Sequence, residues 1–390
     1  VHAGEPHEGA AGALAAPISQ AAVYRLPNAA EAARIHEGEV AGFFYGRMGT
    51  PTQALLETAM AELEGGEAAL ATASGMSALC LALLAALEPG AHLVAQRSLY
   101  SSTAALLGSL LEPMGIEVTR VDTSRPAEVG DALRPTTRAL LLETPSNPML
   151  RLCDLRALSE MAHATGATVL VDSTFATPVN QRPLAWGADL VVHSASKYLG
   201  GHGDVVAGVL VGKGDLVERA RWQGMRLMGP VIAPFSAWLV LRGLRTLAVR
   251  MARHNESALR IAGSLQDHAK VRSVHYPGLA SHPEHDLARH QMAGFGGVVA
   301  FDVGGAAVAA RVVDRVRLCT LGVSLGDVAT LIQPSSRTTQ ASLSARERRE
   351  AGIPAGLLRL SVGLEDAADI LDDLDRALGP ARAPRRLELS

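Results

Sequence analysis

Lysine is a strongly hydrated cation, so a lysine that closes an apolar run calls for an explanation. Lys197 stands in Asp189-Leu190-Val191-Val192-His193-Ser194-Ala195-Ser196-Lys197-Tyr198-Leu199-Gly200-Gly201-His202-Gly203. Burial lowers the pKa of an amine, and a neutral amine is a nucleophile that forms a Schiff base with a carbonyl. Two hydroxyls, Ser194 and Ser196, lie on the approach to it. Upstream, Thr168-Val169-Leu170-Val171-Asp172 is a second apolar run, and it ends in a carboxylate. A lysine for the Schiff base and an aspartate for a pyridinium nitrogen are the pair that a pyridoxal phosphate site needs. Taken alone, Lys197 could equally be a side chain snorkelling at a sheet edge.

Other parts of such a site can be sought in the same chain. Ala73-Ser74-Gly75-Met76-Ser77 precedes an apolar stretch, 78–87, that is helical by propensity and length. A Ser-Gly turn opening a helix presents free backbone N–H groups and a positive dipole end, which suits a phosphate. It is also an ordinary N-cap, and many helices begin this way. Arg138-Ala139-Leu140-Leu141-Leu142-Glu143 is another buried run, leading into a turn that carries Asn147. Ligands in open α/β sheets collect beyond the carboxyl ends of the strands. Asn147, Asp172 and Lys197 each follow an apolar run, so all three are expected on that one edge.

The elements that must hold these residues follow from composition and periodicity. With 390 residues the chain exceeds one ordinary core, so two domains are expected. Residues 1–49 are rich in Ala, Pro, Gly and Glu and read as an extended N-terminal arm. From 50 to 247, helical stretches alternate with short apolar runs such as Ala91-His92-Leu93-Val94-Ala95, which implies a mostly parallel sheet between helices. One long helical stretch, Phe235 to about Leu265, leads into a smaller α+β domain, 248–390. Within it 297–302 and 357–362 read as strands, and the tail from Pro380 to Pro384 reads as frayed. Hydrophobic residues make up 48% of the chain, yet no charge-free run is long enough to span a bilayer. A net charge of −3 leaves no footprint for nucleic acid. Cys80, Cys153 and Cys319 lie far apart without metal or disulfide spacing, which points to a reducing cytoplasm. Val1 in place of methionine implies residues before it, and beyond that point a signal peptide can be neither read nor excluded.

The Lys197 segment, Tyr45-Gly46-Arg47 and Leu360-Ser361-Val362-Gly363-Leu364-Glu365-Asp366 together resemble the Cys/Met-metabolism family of pyridoxal-phosphate enzymes. The resemblance runs from Val1-His2-Ala3-Gly4 to the last helix and is nearest to the methionine and cystathionine γ-lyases. Cystathionine β-lyase, cystathionine γ-synthase and the homoserine-ester sulfhydrylases belong to the same family. It implies the aspartate aminotransferase-like fold, type I of the pyridoxal-phosphate enzymes, with 50–247 binding the cofactor. It further implies that Lys197 holds pyridoxal 5′-phosphate and that Asp172 keeps the ring nitrogen protonated. Gly75, Met76, Ser194 and Ser196 fall among the cofactor contacts, and Tyr100 is matched by a tyrosine that stacks on the ring and serves in proton transfer. Tyr45 and Arg47 match a pair that reaches the phosphate of the neighbouring subunit. That pair makes shared active sites in a homo-oligomer, a dimer at least and usually a dimer of dimers. Arg359 matches the arginine that grips the substrate carboxylate, with Ser324 beside it and Asn147 nearby. Read without the family, Arg359 is one of many surface arginines and Tyr100 an amphipathic tyrosine at a loop–helix junction. Two departures are visible: Ser196 stands where the family usually has Thr, and Thr50 where it more often has Asn.

Three positions bear on substrate. Val323 stands where cystathionine-processing relatives tend to carry Glu, which suits a short apolar tail such as a thiomethyl group. Val205, Val206 and Gly201-His202-Gly203-Asp204 also look more like the γ-lyases than the sulfhydrylases. Against methionine γ-lyase, Ser102 stands where those enzymes typically carry Cys, and Arg226-Leu227 replaces a Lys-Asp pair. The expectation is a carbon–sulfur lyase that takes L-methionine to 2-oxobutanoate, ammonia and methanethiol. Cystathionine γ-lyase, cystathionine γ-synthase and homoserine-ester sulfhydrylase chemistry remain alternatives. His282, His285 and His290 have spacings that could ligate zinc, but Asp286, Arg289 and Gln291 suggest a solvated helix there, and the family uses no metal. Gly200-Gly201-His202-Gly203 lacks the spacing of a dinucleotide loop.

Overall fold

Short apolar runs dominate the chain from residue 68 to 212, and in the computed structural model they become one seven-stranded sheet. The structure describes residues 1–3, 14–341 and 345–379, so Gly4 and the tail from Pro380 to Pro384 lie outside it. The strands are β1 (Ala68–Thr72), β2 (His92–Gln96), β3 (Glu117–Val121), β4 (Thr137–Glu143), β5 (Thr168–Asp172), β6 (Leu190–His193) and β7 (Gly208–Gly212). Their spatial order is β1-β7-β6-β5-β4-β2-β3, with β7 antiparallel to both neighbours and every other pairing parallel. Consecutive residues point to opposite faces of a strand, so a sheet covered on both sides needs apolar residues at every position. Leu141, Leu170, Leu190 and Leu210 pack with the helix Gly75–Ala86 on one face. Leu140, Leu142, Val169 and Val191 pack with the helix Leu155–His163 on the other.

A second sheet of five strands follows, ordered β10-β11-β12-β9-β8. It comprises β8 (Ser273–His275), β9 (Val298–Asp302), β10 (Thr320–Leu321), β11 (Leu331–Pro334) and β12 (Leu357–Ser361). The expected strands at 297–302 and 357–362 are therefore present, antiparallel to each other. Its apolar face packs against the helices Leu247–Asp267 and Ala367–Leu378.

Two expectations are corrected. The arm is not wholly extended: Ala29–Glu37 is a helix, capped by Asn28, whose side chain accepts the Glu31 N–H, and closed by Gly38 at φ 78°. The stretch from Phe235 to Leu265 is two helices, Pro234–Leu244 and Leu247–Asp267, not one. The break follows from Gly243, which lies so close to the Lys197 turn that an added Cβ would sit 2.5 Å from the Leu199 carbonyl oxygen. Arg250 and Thr246 then satisfy the Gly243 carbonyl in place of a continuing helical turn. Among the described residues no helix is long and apolar enough to cross a membrane.

Candidate active site

Because β4, β5 and β6 run parallel, their carboxyl ends deliver Asn147, Asp172 and Lys197 to one rim, as the sequence led us to expect. There they line a cavity of about 210 Å³ together with Gly75, Met76, Tyr100, Ser194, Ser196, Val323 and Arg359. Ser324 joins from the side: the Lys197 ammonium donates to its hydroxyl oxygen at 2.7 Å. Three of the anticipated site residues stand apart. Ser102 lies on the short helix Ser101–Leu106 and is not part of the cavity lining. Arg47 lines a separate hollow between the arm and the helices beside Trp222, where it donates to the Arg226 carbonyl, and Tyr45, just before the turn Gly46–Met48, is exposed outside it. Val205 is buried in the core, whereas Val206 is exposed and faces the cavity.

At one end of the cavity the helix Gly75–Ala86 begins, with the Ser74 hydroxyl accepting the Ser77 N–H. Gly75 is pressed against the β6 exit, so that an added Cβ would fall 2.7 Å from Ser194 Cβ. A Cβ on Gly208 would meet the Ser74 carbonyl oxygen at 2.1 Å, so β7 can pass this turn only with glycine there. The backbone N–H groups of the first turn are thereby aimed at the cavity beside Ser194. Ser196 is less free than its position in the sequence implies, since its hydroxyl is exchanged with the Ala207 backbone, accepting at 3.0 Å and donating at 3.2 Å.

Deeper in, Asp172 accepts the Thr174 N–H at 3.0 Å, and burial pushes its pKa up. The Lys197 amine is driven down to about 8, first by burial and then by the nearby Arg359 cation. Arg359 is not the surface residue that sequence alone suggested: it is 2% exposed. Its donors reach Asn147 Oδ1 at 3.1 Å and the carbonyls of Val323 and Ser324 at 3.1 and 2.8 Å. A buried guanidinium served by neutral oxygens keeps a full positive charge for an incoming anion, and its planar fork fits a carboxylate.

Glu143 and Thr339 are among the lining residues that the sequence did not single out. Glu143 closes β4 as Asp172 closes β5, and the same signal, a carboxylate ending an apolar run, could have singled it out. Thr339 carries a buried hydroxyl without a hydrogen-bond partner among the described residues, and nothing in its polar surroundings marks it. The histidine segment is corrected in part. The expected helix is present at His285–Gln291 with Asp286 and Arg289 exposed, but one side of the segment is docked: His282 is 4% exposed, Glu284 pairs with Arg151, and Gln291 is buried, bonding Leu155 and Cys153.

The whole chain to residue 379 matches the model for the Cys/Met metabolism PLP-dependent enzymes. The chain belongs to that family. It is 45% identical to an L-methionine γ-lyase of Fusobacterium nucleatum subsp. polymorphum over 370 residues, 94% of each chain. It is 40% identical to a cystathionine γ-lyase of Bacillus subtilis over 378 residues, 97% of each. A crystal structure of cystathionine γ-synthase from Xanthomonas oryzae superposes with a TM-score of 0.92 at 41% identity, covering 97% of this chain and 96% of that one. Pyridoxal 5′-phosphate is therefore the cofactor of this family member. The cavity fits it chemically: a helix start that a Cβ would block, a partly buried carboxylate, and a depressed lysine lie within one lining.

Proposed function

We propose that this enzyme is a carbon–sulfur lyase that converts L-methionine and water to 2-oxobutanoate, ammonia and methanethiol by γ-elimination. The coarser reading, γ-elimination or γ-replacement on a sulfur amino acid, is supported by the relatives named above. The finer one rests chiefly on a single observation, the apolar side chain of Val323 at the cavity mouth. Among the described residues the only acidic side chains lining that cavity are Glu143, which is buried, and Asp172 at the end of β5. A substrate with a second ammonium group thus meets no carboxylate at the mouth, and leaving such a charge unpaired is unfavourable.

In this reading Gly75, Met76 and Ser194 would hold the cofactor phosphate at the helix start, Asp172 would keep the ring nitrogen protonated, and Tyr100 would contact the ring. Bound pyridoxal phosphate supplies the electron sink for proton removal beside the amino group. Arg359 binds the substrate carboxylate through its fork, with Asn147 and Ser324 fixing its orientation. Lys197, whose lowered pKa leaves a usable fraction of free amine near neutral pH, takes the proton from Cα and moves protons at Cβ. Tyr100 gives a proton to the departing sulfur. Tyr45 and Arg47 serve the phosphate in a second copy of the chain, which makes the working unit a homo-oligomer, a dimer of dimers. We place the division of the chain at 49/50 and 247/248 and its site of action in the cytoplasm.

The test is a substrate panel: methionine, homocysteine, cystathionine, and an O-acylated homoserine with a thiol, scored for 2-oxo acid and thioether. Methionine or homocysteine should give the higher kcat/KM. Val323 is 65% exposed, so a carboxylate placed there forms a partly solvated pair with a distal ammonium. Such pairs are worth up to about 1 kcal/mol, and Val323→Glu should shift preference toward cystathionine by roughly fivefold. Cystathionine as the best lyase substrate of the wild type, or efficient thiol replacement with little 2-oxo acid, refutes the proposal and leaves the cofactor site intact.

A further inference from the structure

Glu143 has no part in the scheme above, yet it is 4% exposed and lines the same cavity. Both of its carboxylate oxygens are engaged by backbone: Oε2 accepts the Tyr100 N–H at 2.7 Å and Oε1 accepts the Asn147 N–H at 2.8 Å. Tyr100 opens the short helix after β2, and Asn147 lies in the turn after β4, so one side chain ties two separate rim segments together. Glu143 is itself held, since its own N–H donates to the buried Gln96 side chain at 2.9 Å. Across the parallel ladder its register partner is Asp172. Neighbouring strands lie about 4.8 Å apart, so two carboxyl groups at paired positions cannot both ionise without strong repulsion.

We propose that Glu143 is a positioning residue of the cofactor site, clamping Tyr100 and Asn147 in register while leaving the shared negative charge to Asp172. The clamp fixes the tyrosine that faces the ring and the asparagine that orients Arg359. The charge argument follows from the surroundings. His193 acts on Asp172 from β6 and favours its ionised form. Glu143 is acted on by the Asp172 charge and lies near the buried Cys153 thiol, neither of which is a cation, and Arg359 is directed to Asn147 instead. Burial and the Asp172 charge accordingly push the Glu143 carboxyl up to about 8.

The inference rests on the cofactor site and is independent of methionine as substrate, so its test uses pyridoxal phosphate alone. Cofactor affinity of the full chain is measured by equilibrium dialysis, and the visible spectrum of the holoenzyme is followed from pH 6 to 10. Glu143→Gln keeps the shape but turns an NH₂ toward one of the two N–H groups, leaving that donor unsatisfied. Affinity should fall about tenfold or more, and the alkaline spectral transition near the Glu143 titration should vanish. Glu143→Asp keeps a titratable carboxyl but is a methylene too short to reach both amides, so it should lose affinity and retain the transition. On a Tyr100→Ala background the Glu143→Gln loss should shrink below about threefold, because the clamp then holds no ring. Wild-type affinity in both single variants overturns the proposal, as does an equal loss with and without the Tyr100 ring, or an alkaline transition that survives Glu143→Gln. A wild-type chain that takes up no pyridoxal phosphate would instead overturn the cofactor site itself.

Discussion

Replacing Lys197 with methionine should make the cofactor-free chain more stable at neutral pH, although it removes the residue to which the proposed function assigns the proton transfers. Burial, and after it the Arg359 cation, lowers the Lys197 ammonium from 10.5 to about 8. At pH 7 an ordinary lysine is neutral in about one molecule in 3,000, whereas one at about 8 is neutral in roughly one in ten. The same shift is a stability term. The folded state holds this proton less tightly than the unfolded chain, so below about pH 8 folding must carry an ammonium that its site disfavours. The full shift corresponds to about 3 kcal/mol, and partial solvation together with the 2.7 Å bond to Ser324 reduces that to about 1–3 kcal/mol. Between about 8 and 10.5 the unfolded chain binds more protons than the folded one, so stability rises with pH and the penalty disappears. Lys197→Met is uncharged and similar in length, and should exceed the wild type by that amount at pH 7. For a chain of this size the gain is about 1–4 °C in Tm. The assay is thermal unfolding of both cofactor-stripped proteins at equal concentration, from pH 7 to 10.5. A variant less stable at pH 7, or a gap that does not close as pH rises, would refute the reasoning.

Two further outcomes test the geometry. Gly75→Ala brings a Cβ to 2.7 Å from Ser194 Cβ, so affinity for pyridoxal phosphate should drop at least about tenfold, while Tm of the cofactor-free protein falls by only a few degrees; unchanged affinity would remove the helix start from the phosphate site. Mixing an inactive Arg47→Ala chain with an inactive Lys197→Ala chain should restore activity, up to about a quarter of wild type if dimers form at random and each hybrid has one intact site. No recovery after proven subunit exchange would sink the shared-site assignment.

How much of this was legible in sequence depends on whether a residue's environment is local. Asp172 and Lys197 could be found because each terminates a run of apolar residues, and a parallel sheet sends such ends to one rim. The helix start at Ser74 was legible for the same kind of reason. Arg359 was not: its burial is created by Asn147, 212 positions away, and by the Val323–Ser324 backbone. The docked side of the histidine segment was missed because Arg151, 133 positions from Glu284, docks it onto the large sheet's loops. The helix break at 245–246 had only Gly243 as a local hint, and its cause is the close passage of the Lys197 turn. The arm helix was a different failure. Asn28 and Glu31 form a cap signal that was present in the sequence and was outweighed by composition.

The charges of the rim carry a common logic that no single motif expresses. Arg359 is buried among neutral oxygens, Lys197 is half-buried without a carboxylate of its own, and the buried Glu143 is paired in register with the partly buried Asp172. Each arrangement lowers the stability of the fold, because desolvated charge that lacks an opposite partner costs free energy. Their chemistry is complementary to what a pyridoxal-phosphate enzyme must hold: a carboxylate for Arg359, an aldehyde for Lys197, a protonated ring nitrogen for Asp172. Strain of this kind is tolerated where binding offsets it, so cofactor and substrate should stabilise the chain beyond what their contact area alone provides. The position of Val323 then becomes informative in a second way. It is the one mouth residue at which this chain places an exposed apolar side chain beside a guanidinium-held backbone carbonyl. In the proposed function the charged inner site selects an α-amino acid of any tail, and discrimination among sulfur amino acids is left to an uncharged rim.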